Sequence, residues 1–127
     1  MDKVVHFEIP VDDIKRAEKF YNSTFGRGTN SVPGMGYTLV TTVETDEKMM
    51  PKEPGAINGG MMKRTDKIKS PVVTIGVSDV DEALENVKNN GGSILMEKTK
   101  IGDMGYSAYF KDTEGNIVGL WQNLKEE

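Results

Sequence analysis

Residues 5–26 and 71–92 read alike when offset by 66 positions. A repeat of that length in a small chain limits the fold to two copies of one supersecondary unit. Phe7 and Ile9 fall on Val73 and Ile75, Val11-Asp12-Asp13 on Val77-Ser78-Asp79, Ile14 and Ala17 on Val80 and Ala83, and Phe25-Gly26 on Gly91-Gly92. Each copy reads as a strand, a tight turn, a helix and a glycine exit. In the second copy Val80, Ala83, Leu84 and Val87 follow the i, i+3, i+4, i+7 spacing of one apolar helix face. Ser78 or Asp79 is placed to cap it, and Gly91 and Gly92 to stop it. In the first copy Ile14, Ala17, Tyr21 and Phe25 form the stripe, with Asp12 or Asp13 at the cap and Gly26 and Gly28 at the end. Strand-like segments follow each helix at about 29–33, 36–43 and 57–63, then at 93–99, 105–111 and 116–122. The expected fold class is therefore α+β, built as βαβββ twice. At 127 residues the chain reads as one domain, 1–127, with module one at about 1–64, a linker at about 63–71 and module two at about 71–124. The stretch 44–55 carries no pattern and is expected to be a mobile polar loop bearing Met49 and Met50.

Composition then removes whole classes of function. The chain has no cysteine, so disulfides, thiolate nucleophiles and thiolate metal ligands are absent. Its formal net charge is −4 with basic residues scattered among acidic ones, the opposite of a nucleic-acid footprint. The basic cluster Lys63–Lys69 reads as solvated loop charge. No apolar run approaches the roughly 20 residues of a membrane span, and the start MDKVVHFEIP lacks signal-peptide character. A cytoplasmic protein without membrane or nucleic-acid partners is expected. The glycine clusters lack the strand-to-helix context and Lys-Ser/Thr of a phosphate loop. DTEGN at 112–116 lacks the length and terminal Glu of a calcium loop and reads as a turn.

The only histidine, His6, lies in VVHFEIPVDD. Period two points Val5, Phe7 and Ile9 one way and His6 and Glu8 the other, about 6 to 7 Å apart at their Cα atoms. That pair can serve as a polar anchor or an acid–base couple for a bound molecule. It can equally be a buried network satisfied by a neighbouring tyrosine.

With HFEIPVDDIKRAEKFYNSTFG in one half and GVSDVDEALENVKNNGGSIL followed by YFKDTEGNIVGLWQ in the other, the chain resembles the vicinal oxygen chelate superfamily. That superfamily comprises glyoxalases, bleomycin-resistance proteins and extradiol dioxygenases. The resemblance implies two βαβββ modules forming a curled mixed-sheet cup, helices outside, with small molecules in the concavity. Thr113 stands where the family usually has proline in its Asp-Pro-x-Gly turn, which should loosen that turn slightly.

Enzymes of the superfamily place metal ligands on the first and last strands of each module. The matching positions here are His6, Val72, Gly60 and Gly119. His6 alone has a ligating side chain, and a catalytic divalent ion wants at least three protein ligands. No metal site and no cofactor are expected, and a divalent ion is disfavoured.

Parity and the repeat offset give the lining expected for the cup: His6, Glu8, Tyr37, Met61, Met62, Val72, Thr74, Tyr106, Tyr109 and Trp121, with Ile117 and Gly119 sharing the Trp121 face. Tyr106 and Tyr109 cannot both face inward unless a bulge intervenes. The reading that follows is a small-molecule-binding protein of the glyoxalase/bleomycin-resistance type holding an amphipathic or aromatic molecule. The alternative is a lyase, isomerase or dioxygenase of that superfamily using His6 and Glu8, with or without a divalent metal, so whether the chain is an enzyme stays open. Exposed strand edges lead to the expectation of a two-fold homodimer.

Overall fold

A computed structural model describes residues 1–48 and 50–124; Met49 lies outside the described residues. Its elements follow the repeat: β1 (Lys3–Val11), α1 (Ile14–Phe25), β2 (Gly28–Val32), β3 (Tyr37–Thr41), β4 (Gly59–Lys63), β5 (Val72–Gly76), α2 (Val80–Asn89), β6 (Ser93–Ile101), β7 (Gly105–Lys111) and β8 (Ile117–Asn123). The fold is α+β, with a βαβββ unit in each half. Residues separate into two compact units, His6–Pro71 and Met1–Val5 with Val72–Glu127.

In the unit His6–Pro71 the strand order is β2-β3-β4-β1, with β1 parallel to β4 and the other neighbours antiparallel. Helix α1 starts where Asp13 accepts a bond from the Arg16 amide, which satisfies one of the unpaired donors of the first turn. It ends at Gly26, whose φ of 69° is the left-handed conformation glycine adopts without strain. Ile14, Ala17 and Tyr21 pack on Val11, Val40 and Met61, together with Phe7 and Ile9. Phe25, expected in the same stripe, is instead 63% exposed. It lies at the last helical position, where its ring and that of Tyr21 flank the Arg27 guanidinium.

Two segments of this unit carry more order than their polarity suggests. In the loop after β3, Asp46 accepts bonds from the Lys48 and Met50 amides, and Thr45 bridges Pro51. In the linker, Ile68 is buried, while Arg64 reaches the carbonyls of Pro10 and Lys69 and the carboxylate of Asp12.

In the unit containing Val72–Glu127 the order is β5-β8-β7-β6, again with the first strand parallel to the last. Asp79 caps α2 by accepting from the Glu82 amide. Val80 and Leu84 sit in a core with Ala108 and Leu120, flanked by Ile75, Val77, Ala83, Ile94, Tyr106 and Phe110. The turn at DTEGN is closed by the Asp112 carboxylate, which accepts from the Glu114 and Asn116 amides. Those bonds hold the Asp112 carboxyl below the usual carboxylate range, the Asn116 amide having the largest effect. They do so with Thr113, not a proline, next to that Asp.

Candidate functional site

The alternation of each strand decides which residues share the face turned away from the helix. In β1 the residues on α1 are Phe7, Ile9 and Val11, so His6 and Glu8 lie on the opposite face. Parallel pairing sets Glu8 beside Gly60, and antiparallel pairing sets Leu39 beside Gly60 from the other side. Tyr37, two residues before Leu39, shares that face and leans across Gly60. A methyl group added at Gly60 would overlap the Tyr37 ring. The hydroxyl of Tyr37 ends 2.7 Å from Nε2 of His6, with the two rings close to parallel.

This cluster of imidazole, phenol and carboxylate is drawn from β1 and β3 and seated over a glycine of β4. Glu8 is only 8% exposed. Burial pushes the His6 pKa below its ordinary value, and the neighbouring Glu8 charge partly opposes that. Burial thus favours the neutral imidazole, the form able to accept a proton.

Module two repeats the geometry with different chemistry. Thr74, the position 66 residues after Glu8, stands beside Gly119 as Glu8 stands beside Gly60, so the two first strands meet a glycine of their module's last strand in the same way. A methyl group at Gly119 would come within 2.8 Å of the Thr74 hydroxyl oxygen. That hydroxyl is buried and has no hydrogen-bond partner among the described residues. Antiparallel pairing brings Tyr109 beside Gly119 and Ser107 beside Trp121, on the face away from α2. The Trp121 indole donates to the Asn123 side chain at 2.7 Å.

Most of the residues expected at the site therefore fall on these two faces. His6, Glu8, Tyr37 and Met62 share one, and Val72, Thr74, Tyr109 and Trp121 share the other. Two do not join them. Met61 is fully buried on the α1 side because it precedes Met62 by one residue. Tyr106 packs on the α2-side core because it is three residues from Tyr109, and the Lys98 ammonium lies 4.4 Å from its ring centre. What sequence reading missed is the close seating of Tyr37 on Gly60. The available signal was the absence of a side chain at 60 combined with an aromatic residue on a neighbouring strand.

The fold family implies a divalent metal, and the residues present do not fit one. Among the described residues no group of three or more His, Asp or Glu side chains could hold a metal ion. At the two glycine positions, the space a ligand side chain would enter is taken by Tyr37 and Thr74.

A doubled βαβββ chain with this register is a member of the vicinal oxygen chelate superfamily, the class the fold defines. Comparison with known proteins agrees. Residues 3–43 match the family described as bleomycin resistance protein-like N-terminal. A glyoxylase-like domain-containing protein of Didymella fabae is 32% identical over 118 residues, covering 89% of this chain and 88% of that protein. CFP32 of Mycobacterium tuberculosis, provisionally named a glyoxylase, is 35% identical over 122 residues, covering 91% of this chain. The match spans 43% of the length of CFP32. Methylmalonyl-CoA epimerase from Mycobacterium tuberculosis superposes with a TM-score of 0.63 at 16% identity, covering 95% of this chain and 87% of that one. At that identity the likeness is one of fold. The chain belongs to the glyoxalase/bleomycin-resistance family.

Proposed function

We propose that this chain is a cytoplasmic small-molecule-binding protein of the glyoxalase/bleomycin-resistance type, holding an amphipathic or aromatic molecule without a divalent metal ion. One observation carries the reading: Nε2 of His6, one of the two imidazole nitrogens able to ligate a metal, is engaged by Tyr37, whose ring also fills the space above Gly60. What remains on that face is a small polar anchor, His6, Tyr37 and Glu8, beside the apolar Leu39 and Met62. Few polar groups among apolar ones is the make-up of a binding surface for amphipathic molecules. The test is titration with aromatic metabolites and antibiotics in the presence of EDTA, read by the intrinsic fluorescence of the chain, to which Tyr37 itself contributes. A saturable change that is weakened in Tyr37→Ala is expected. No saturable response across the series contradicts the proposal.

A second reading is favoured by the state of His6. A neutral, partly buried imidazole bonded to a phenol and near a carboxylate is equipped for proton transfer, as a lyase or isomerase of the superfamily requires. Turnover that vanishes in His6→Ala and follows the ionisation of a single group would establish it. Turnover insensitive to His6 would remove it.

A further inference from the structure

The two glycines on the last strands of the modules do more than lack ligands. Gly60 is the position opposite Glu8 in the parallel pair β1/β4, so a carboxylate there would stand next to Glu8 and one pleat from His6. Three donors of the His and Glu kind would then converge on one face, which is the set a divalent ion needs. Two features of module one oppose it. The side-chain space at Gly60 is filled by the ring of Tyr37, and Nε2 of His6 is 2.7 Å from the Tyr37 hydroxyl. The nearest atoms to a methyl group at Gly60 all belong to Tyr37, so a single side chain is responsible for both.

We infer that Tyr37 is a plug: it occupies a latent divalent-metal site formed by His6, Glu8 and position 60, and it makes Gly60 obligatory. The inference rests on the reading of the site as metal-free but concerns its cause, one tyrosine over one glycine. It deepens that reading by naming what the face recognises. With the plug in place, a bound molecule meets a phenol and an imidazole, so the face selects hydrogen-bonding groups rather than metal-chelating ones.

The experiment has two arms, both on the intact chain. In the first, Gly60→Ala is made alone and together with Tyr37→Ala, and unfolding midpoints in urea are compared. Gly60→Ala is expected to lower the midpoint in the parent chain and to have little effect once Tyr37 is alanine. Equal effects in the two backgrounds overturn the plug. In the second arm, zinc and nickel chlorides are titrated calorimetrically into the parent chain, into the double variant Tyr37→Ala, Gly60→Glu, and into that variant with His6→Ala added. Folding of each is verified by circular dichroism. The parent is expected to show no one-to-one binding. The double variant should bind one ion, and His6→Ala should weaken that binding about ten- to a hundredfold. A folded double variant that takes up no metal overturns the inference while leaving the metal-free ligand-binding proposal standing. A parent chain that binds one ion through His6 overturns both. A parent chain that stays metal-free but gives no ligand response in the fluorescence titration counts against the ligand-binding proposal alone.

Discussion

At the scale of single residues, the faces of the strands were legible from alternation, and the contacts between them were not. Period two put His6 with Glu8, and the repeat offset put Val72 and Thr74 in the corresponding places. Which tyrosine would meet His6 depended on the register between β1, β3 and β4, which no local pattern encodes. Two consequences can be measured. Burial lowers the His6 pKa in the folded chain below the ordinary histidine value of 6.5, so the unfolded chain binds the proton more readily. This contribution to stability is fully present above about pH 6.5 and is lost as the pH falls through that value towards the lower folded pKa. Denaturation of the parent chain and of His6→Gln between pH 8 and pH 5 should show a larger loss in the parent; parallel curves contradict the burial of a neutral imidazole. The unpartnered hydroxyl of Thr74 gives the second. Thr74→Val keeps the shape and removes a buried polar group with no partner, so stability should hold or rise by about 1 kcal/mol. A clear loss in urea denaturation would mean that the hydroxyl has a partner in solution.

At the scale of elements, both helices were readable because each carried three mutually consistent signals: an apolar stripe, an aspartate at the cap and a glycine exit. Where the stripe was extended one turn too far, to Phe25, the helix end left the core and the ring became exposed. Leu84→Ala removes a side chain that is 4% exposed in the core under α2 and should cost about 2 to 5 kcal/mol. Phe25→Ala should cost no more than about 1 kcal/mol, the worth of an exposed ring that meets the Arg27 guanidinium. Comparable losses in thermal or urea unfolding would contradict the assignment of the two stripes. The linker was read from its charge, and the loop after β3 from its polarity and lack of pattern. Ile68 and Asp46 tie them down locally, and Arg64 does so through a contact that spans 54 residues of chain; a contact of that range leaves no local trace in composition.

At the scale of the whole molecule, the repeat was the informative feature, because it gave the element order of both halves; strand neighbours and the equivalence of the pairs Glu8–Gly60 and Thr74–Gly119 emerged only from the structure. It could not reveal what each module places over its glycine, since Tyr37 and Thr74 come from different elements of the unit. The proposal of a two-fold homodimer belongs to this scale too, resting on the frequency with which strand edges of small domains are closed by a symmetric partner. Light scattering at micromolar concentration should return the mass of two chains, and the mass of one would refute it.

The central claim is that the face holding His6, Tyr37 and Glu8 binds a small molecule without a metal. Its most direct test follows the two C–H resonances of the chain's only imidazole by NMR as an aromatic ligand found by fluorescence is added, first with EDTA and then with excess zinc. The account predicts saturable shifts that are the same in both conditions and altered in Tyr37→Phe. Shifts that arise only when zinc is present would contradict it.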